Sequence, residues 1–172
     1  TANGNYHLLA SSMLINAGHP DSTDSDGTRA DIGAYPYLNT YSGPNWYVSG
    51  NGNDTTATGS GPDSFRSIQA AINFASAGDE VSVASGNYFE NINFRGRAIT
   101  VTGSGGSTID GGGNGTVVTF DSGEDTTTVL SGFIIQNGNA AAGYFTSGPF
   151  TNGVGGGILC NGASPILDNL II

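Results

Sequence analysis

The chain has 172 residues and carries 14 acidic residues against 4 basic ones, which gives a net charge of −10 at neutral pH. This length suits one ordinary domain, and the negative charge argues against nucleic acid or an anionic membrane as a partner. No run approaches the roughly 18 apolar residues needed to span a bilayer, so membrane insertion is not expected. Glycine contributes 29 residues and charged residues only 10%, a composition that leaves little hydrophobic core per residue and favours stacked repeats.

The first 38 residues differ in pattern from the rest of the chain. The stretch YHLLASSMLINAGHP, residues 6–20, contains two apolar clusters, and an acidic loop and the stretch IGAYPYL follow it. Residues 39–45, NTYSGPN, combine glycine, proline and asparagine as turns and linkers do. We therefore expect residues 1–38 and residues 46–172 to belong to different structural units, joined by a linker at 39–45.

The acidic loop, HPDSTDSDGTRADIGAYPY at residues 19–37, is a candidate calcium site. Its four carboxylates offer the hard oxygen ligands that Ca²⁺ prefers; they are Asp21, Asp24, Asp26 and Asp31. The match to an EF-hand fails in two places, because aligning Gly27 with the invariant glycine puts Ser22 at the first ligand position and Gly33 at the closing one. The alternative is a solvated acidic turn in which Arg29 offsets some carboxylates and the aspartates bond to local backbone.

One segment, SFRSIQAAINFASAGD at residues 64–79, has a helical period. The spacing predicts a helix over about 64–77, with Asp63 or Ser64 as the N-cap and Gly78 at the C-terminal end. Four apolar residues form its stripe, namely Phe65, Ile68, Ile72 and Ala75. A short helix with one apolar stripe must lie on another apolar surface, so we expect it to cover the end of the β-structure that follows.

After this helix the chain shows only brief β-type clusters separated by Gly, Asn, Ser and Asp. Strands are predicted at 80–85, 90–94, 98–103, 107–110, 116–120, 128–138, 156–162 and 165–172. The pattern L-x-x-(F/L)-I-I at residues 130–135 returns 37 residues later at residues 167–172, and residues 139–155 between the copies are expected to loop out. Short strands with an internal repeat predict an all-β fold in which turns of a parallel coil stack on one another.

The order of these features resembles a known family, the right-handed parallel β-helix proteins of the pectate-lyase-like superfamily. WYVSGNG at residues 46–52, the helix, and GDEVSVASGNY at residues 78–88 resemble the N-terminal cap of such proteins, and the later clusters resemble their first turns. Residues 6–37 resemble the last turns and closing segment of a preceding unit. The resemblance implies a right-handed parallel β-helix (solenoid) with one short N-terminal capping helix. It also implies a chain that spans the junction between two units and is incomplete at its C-terminus.

The superfamily includes polysaccharide lyases and hydrolases, so the resemblance raises the question of catalysis. A lyase needs a basic residue beside acidic glycans, and here Arg95 and Arg97 are the nearest candidates in a chain whose charge repels such substrates. A hydrolase needs a carboxylate pair; the candidates lie in turn segments and are Asp110, Asp121, Glu124 and Asp125. His7 and His19 accompany no nucleophile motif, and Cys160 lies in an apolar strand pattern that predicts a buried thiol. We expect no catalytic residue in this chain.

The sequence therefore predicts a non-catalytic structural or adhesive unit of a tandem or filament-forming protein. Stacked turns form a stiff rod, and units that associate head to tail without closing produce a filament. The resemblance implies an extracellular or cell-surface location. The alternative is a carbohydrate-binding or polysaccharide-degrading β-helix whose site lies outside this chain.

Four aromatic residues are expected to pack at the helix-covered end, namely Trp46, Tyr47, Tyr88 and Phe89.

Overall fold

The computed structural model describes residues 6–139 and 155–172. In chain order their helix and strands are β1 (Asn45–Val48), α1 (Ile68–Phe74), β2 (Glu80–Val83), β3 (Gly86–Phe89), β4 (Ile92–Asn93), β5 (Thr100–Asp110), β6 (Val118–Phe120), β7 (Val129–Gln136), β8 (Ile158–Cys160) and β9 (Ile166–Asp168). Strands dominate, so the fold is all-β as predicted. Most of the loop expected at 139–155 lies outside the described residues. Within these ranges no helix is long and apolar enough to cross a bilayer.

The strands form two sheets in which every neighbouring pair is parallel. The large sheet has the order β1-β2-β5-β7-β9, and β3 pairs with the second half of β5. The small sheet has the order β4-β6-β8. From β3 onward the chain passes alternately between the large sheet and the small one, so each parallel neighbour is reached after a crossover.

The core consists of buried residues that stack from strand to strand. Four of them stand in register across β1, β2, β5 and β7, namely Trp46, Val81, Val101 and Leu130. At the small sheet Phe94 and Phe120 are fully buried, with ring centroids 4.5 Å apart. One short strand carries too few apolar residues to form a core by itself, so the core arises where residues of neighbouring parallel strands pack on one another.

The repeat found in the sequence corresponds to two neighbouring strands. Leu130 of β7 lies opposite Leu167 of β9, and a further parallel bridge joins Ile134 to Ile171. The second copy of the pattern therefore pairs with the first, residue for residue. The prediction that these two segments stack in parallel is confirmed.

The helix is shorter than the sequence predicts, since α1 covers Ile68–Phe74 rather than 64–77. Phe65 lies outside it, because its backbone exchanges two hydrogen bonds of 2.9–3.0 Å with the backbone of β1 and the residue after it. The extended pairing also places the Phe65 ring in the core. The N-cap is Ser67, whose side chain makes no capping hydrogen bond, so the prediction of Asp63 or Ser64 is wrong.

The predicted apolar stripe is nevertheless buried. Its four members are fully buried, namely Phe65, Ile68, Ile72 and Ala75. α1 contacts β1, β2 and β4, and β1 and β4 are the edge strands of the two sheets. The helix therefore lies against one end of both sheets, as its single stripe predicts.

The observed strands are shorter than most of the predicted ones, and the β-structure differs from the prediction in three further ways. The predicted strands 98–103 and 107–110 belong to one strand, β5, whose register with β7 shifts between Thr102 and Ser107. β3 is absent from the predicted strands, because the glycine and asparagine at its start are typical of a turn. β1 begins at Asn45, one residue inside the predicted linker.

Candidate assembly joint

The N-terminal segment, residues 6–39, packs against the end of the molecule formed by β1 and α1. Ala10 of this segment is fully buried. The Tyr37 hydroxyl donates to Ala57 O at 2.6 Å, and the Tyr37 ring centroid lies 5.4 Å from that of Phe74. This contact between the N-terminal segment and the rest of the chain, called the joint below, combines apolar burial with hydrogen bonds.

Asn73 of α1 lies at the centre of the joint. Its side chain is fully buried, and its Nδ2 donates to Ala10 O at 2.9 Å and to Ser12 O at 2.8 Å. Its Oδ1 accepts from Gln69 Nε2 at 3.1 Å and from Arg95 Nη1 at 2.7 Å. All four hydrogen-bonding positions of one buried amide are therefore used, and two of them hold the N-terminal segment.

Arg95 strengthens the same contact, and Arg97 binds the C-terminal end of α1. Arg95 Nη1 also donates to Ile15 O of the N-terminal segment at 3.1 Å. Arg97 donates through Nη2 to Asn73 O at 2.7 Å and through Nη1 to Ala75 O. Cations are favourable at this end of a helix, where carbonyl groups lack intrahelical partners. Burial lowers the pKa of Arg97 to about 10, which leaves the guanidinium charged at neutral pH.

Carboxylates from other parts of the chain hold the N-terminal end of α1. Glu90 accepts from Ile68 N–H at 2.8 Å and from Gln69 N–H at 3.0 Å. Asp54 accepts from the backbone N–H groups of the two residues before Ile68, at 2.8 and 3.2 Å. Burial and, to a lesser extent, the charge of Asp54 raise the pKa of Glu90, the two amides lower it, and the resulting pKa is about 7. A carboxylate that titrates near neutral pH therefore supports the helix of the joint.

Three of the four candidate calcium ligands bond to backbone N–H groups. Asp31 accepts from Asn16 N–H at 2.7 Å and from Tyr37 N–H at 2.8 Å, and its own N–H donates to Asp24 at 2.9 Å. Asp26 accepts from two backbone N–H groups in the same way, at 2.9 and 3.0 Å. Burial raises the pKa of Asp31, the amides lower it, and neighbouring carboxylates raise it again. The loop therefore folds around its own aspartates.

The fourth candidate, Asp21, is exposed and lies 3.8 Å from His19 Nδ1. Arg29, expected to offset the carboxylates, donates its Nε to Gly18 O at 2.7 Å. Within residues 6–139 and 155–172, no group of three or more acidic, histidine or cysteine side chains is arranged to hold a metal ion. The geometry matches the backbone-bonding part of the alternative interpretation, and calcium binding by the four aspartates stays a prediction.

The carboxylates considered for glycoside hydrolysis hold turns in place. Glu124 accepts from two backbone N–H groups of neighbouring turns, at 2.7 and 2.9 Å, and Asp121 accepts from Asn93 Nδ2 at 3.1 Å. Hydrogen bonds, above all from side chains, lower the pKa of Asp110 and of Asp125. A glycosidase acid needs a raised pKa, so these two carboxylates have the wrong environment for that role.

The far end of the sheets is an open edge formed by β8 and β9. Each of these strands has one strand neighbour in the part of the chain that the structure describes. The prediction that Cys160 is buried is wrong, because β8 lies at the edge of the small sheet. Large apolar residues are exposed here, namely Ile166, Leu167, Ile171 and Ile172.

The N-terminal segment also carries exposed large apolar residues, which are together called the outer face below. Its members are Tyr6, Leu9, Met13, Leu14, Ile32, Tyr35 and Leu38. His7 and Tyr35 are joined there by a parallel bridge, and their rings stack with centroids 4.8 Å apart. The segment packs at the β1 end, whereas β9 is the other edge of the large sheet. The N-terminal segment, with its outer face, and the open edge therefore lie at opposite ends of the large sheet.

Sequence reasoning missed the centre of the joint. Gln69 and Asn73 are four residues apart, beside the apolar stripe of α1, and this spacing places two amides on one side of a helix. That pattern is the signal that an amide pair is buried with the stripe. Glu90 has no comparable signal, because its role depends on a helix that begins 22 residues earlier in the chain.

The joint, the outer face and the open edge are features of this chain's own geometry. Comparison of the chain with family models, with curated proteins and with solved structures gives no match. The resemblance to pectate-lyase-like β-helix proteins therefore rests on the residues quoted above and stays a prediction.

Proposed function

We propose that the chain is a structural unit built as a right-handed parallel β-helix. In this proposal residues 46–172 form the capped start and first turns of one unit, and residues 1–38 form the closing segment of the unit before it. Parallel pairing throughout, the alternation between two sheets and the residue-for-residue pairing of the repeat support the coil. The position of α1 against the edge strands β1 and β4 supports its role as a cap, because a cap blocks further pairing at such edges.

The observation that carries the functional proposal is the joint. A flexible linker would leave two units free to move, whereas here the buried Asn73 amide binds two carbonyl oxygens of the N-terminal segment. Arg95 adds a third hydrogen bond to that segment. Buried polar groups that are fully paired hold one arrangement, since any other leaves them unsatisfied. Such a joint transmits force from one unit to the next, which is what a rod requires.

The two exposed apolar surfaces support head-to-tail association with a second copy of the chain. In a chain of these 172 residues the open edge presents the outer backbone groups of β8 and β9, which favour the addition of another parallel strand. In the proposed coil a further turn takes this place, and in this chain the outer face of a second copy can take it instead. The outer face presents apolar residues and a parallel backbone bridge at His7 and Tyr35, which suits the parallel direction of β9. Because the surfaces lie at opposite ends, the contact repeats without closing and produces a filament.

An extracellular or cell-surface location, with a structural or adhesive role there, completes the proposal and is supported by the resemblance alone. Polysaccharide degradation has weaker support in this chain, because the carboxyl groups of Asp110 and Asp125 have lowered pKa values. Glycan binding does not require such groups and is compatible with a rod.

The assembly proposal predicts a concentration-dependent increase in mass. Sedimentation velocity of the purified chain is expected to show oligomers that grow with concentration, and electron microscopy is expected to show linear particles. Ile171→Asp places a charge in the apolar open edge and should weaken association by about tenfold or more, because the charge is desolvated in the contact.

Phe89→Asp provides the matched control. Phe89 is an exposed apolar residue of comparable accessibility, but it belongs to neither end surface, so this variant should associate as the unmodified chain does. Monomers at every concentration would contradict the head-to-tail contact. Equal loss of association in both variants would assign the effect to net charge rather than to the open edge, and would contradict it as well.

A further inference from the structure

Six asparagines of the chain are followed directly by glycine, and four of these Asn–Gly pairs lie in the described residues. Asn–Gly is the dipeptide that loses its side-chain amide most readily, because glycine has no side chain to hinder attack by its own backbone nitrogen. The four pairs begin at Asn51, Asn114, Asn137 and Asn161, and all four asparagines are exposed. Exposure therefore does not distinguish the pairs, but their hydrogen bonds do.

The reaction requires a free backbone N–H on the glycine and a free asparagine side chain. The glycine nitrogen gives its proton to hydroxide and attacks the side-chain Cγ, and ammonia leaves as the new C–N bond closes a five-membered succinimide. Water then opens one of the two ring carbonyls, which gives aspartate or isoaspartate. The balance is one amide and one water converted into one carboxylate and one ammonium ion, so no oxidant or further reactant is needed.

Hydrogen bonds hold two of the four pairs against this reaction. At the first pair Gly52 N–H donates to Ser49 O at 2.9 Å. At the third pair Asn137 Nδ2 donates to the carboxylate of Asp110 at 2.8 Å, and a bond to a charged acceptor is a strong one. Each of these pairs has to break a hydrogen bond before the glycine nitrogen and the side-chain Cγ can meet.

The pair at Asn114 is held through the backbone on both sides. Asn114 N–H donates to Gly111 O at 3.0 Å, and Gly115 O accepts from Asn139 N–H at 2.7 Å. Gly115 is also buried, which limits the access of hydroxide to its N–H. The peptide between these two residues is therefore slow to rotate into the geometry of attack.

The pair at Asn161 has neither kind of restraint. Within residues 6–139 and 155–172, neither the Asn161 side chain nor the Gly162 N–H has a hydrogen-bond partner. Gly162 is exposed and, apart from its chain neighbours, no described residue has an atom within 4 Å of the position that a Cβ would occupy there. The pair directly follows β8, which ends at Cys160, so it lies at the open edge.

We propose that Asn161 is a self-modification site, at which the folded chain converts a neutral amide into a carboxylate at its open edge. The isoaspartate product also adds one carbon atom to the backbone between β8 and β9. The consequence for assembly rests on the proposed function: the new charge is desolvated in the head-to-tail contact and weakens it. The open edge of an older chain is therefore less able to receive a second copy.

The rates at the four pairs test the site. The whole chain is incubated at mildly alkaline pH and digested with pepsin in acid, and mass spectrometry measures the conversion of each asparagine. Asn161 should react at least about fivefold faster than Asn51 and Asn137, the ratio expected when one hydrogen bond must first break, and faster than Asn114. In concentrated urea these differences should disappear. An unreacted Asn161, or equal or faster reaction at any other of the four pairs in the folded chain, would overturn the proposal.

Asn161→Gln is the matched control for the effect on assembly. Glutamine keeps a side-chain amide, but its longer side chain must close a six-membered ring, which is far slower. After incubation, sedimentation velocity should show association weakened by about tenfold or more in the unmodified chain and unchanged in Asn161→Gln. Equal association of the two proteins after Asn161 has reacted would overturn its effect on assembly. A fresh chain that stays monomeric contradicts the head-to-tail contact instead, and the four rates still decide the modification site.

Discussion

The Asn73→Leu variant is expected to lose roughly 3–5 kcal/mol of unfolding free energy. Leucine has a similar volume but no polar atoms, so the carbonyl oxygens of Ala10 and Ser12 lose a buried donor. Gln69 and Arg95 lose a buried acceptor at the same time. An unsatisfied polar group that stays buried costs its full desolvation energy, which is why one substitution has such a large effect. Urea denaturation followed by circular dichroism measures the loss.

The matched control is Asn87→Leu. Asn87 is an exposed residue of β3, so its replacement should change the unfolding free energy by less than about 0.5 kcal/mol. Hydrogen exchange adds a local measurement. In Asn73→Leu the Ala10 N–H, which donates to Asp54 O, should lose more protection than N–H groups of β5. Equal stability of the two variants would show that Asn73 does not hold the joint.

The stability of the unmodified chain is expected to fall as the pH rises from about 4.5 to about 7 because of Glu90. A glutamate carboxyl has an ordinary pKa of 4.5, whereas the pKa of Glu90 in the folded protein is about 7, so the folded state retains a proton that the unfolded state releases. Below the lower value both states are protonated and the contribution is complete; above the higher value both are ionised and it is lost. The full change is roughly 3–4 kcal/mol, since each unit of pKa difference corresponds to about 1.4 kcal/mol.

Glu90→Gln isolates this contribution. The variant loses one acceptor for the helix N–H groups at every pH, but it carries no titrating group at this position. The difference in unfolding free energy between the unmodified chain and Glu90→Gln should therefore shrink or reverse between pH 4.5 and pH 8. Other carboxyl groups, such as Asp31 with its raised pKa, act equally in both proteins and cancel. Parallel stability curves would mean that the Glu90 carboxyl titrates alike in the folded and unfolded states.

The β-structure could be predicted from the sequence because its signals are local or repeated. Brief clusters between glycine and asparagine turns identified most strands, and the pattern shared by residues 130–135 and 167–172 identified a pair of neighbours that the structure shows in register. The stripe of α1 was predicted for the same reason, since a 3.6-residue period directs apolar residues to one side.

The limits of α1 could not be predicted, because tertiary contacts determine them. Phe65 fits the helical period, yet its backbone pairs with β1, a strand that ends 17 residues earlier. Glu90 likewise supplies the N-terminal hydrogen bonds from a later part of the chain. A rule based on neighbouring residues therefore selected Asp63 or Ser64, whose side chains face other partners.

The candidate sites also differ in whether local sequence patterns or tertiary contacts determine them. The four aspartates of the acidic loop were found because they are close in sequence, whereas Asn73, Arg95 and the N-terminal segment are brought together by the fold. The expectation that Tyr47 and Phe89 pack at the helix-covered end is wrong, since they are 38% and 75% exposed. Their exposure and that of Cys160 could not be predicted, because an apolar residue in a strand pattern is exposed or buried according to which neighbours cover it.

Disulfide mapping of neighbouring strands tests the central claim, that successive turns stack in parallel and in register. In a Cys160→Ser background, Ser131→Cys and Asp168→Cys place two thiols on directly paired residues of β7 and β9. Paired strands lie about 4.8 Å apart, a Cα separation that a disulfide accepts. Stacked turns predict rapid and nearly complete oxidation of this pair. Ser82→Cys with Asp168→Cys, three strands apart in the same sheet, should stay reduced. Failure of the first pair to oxidise, or equal oxidation of the second, would contradict the stacked coil and the joint built on it.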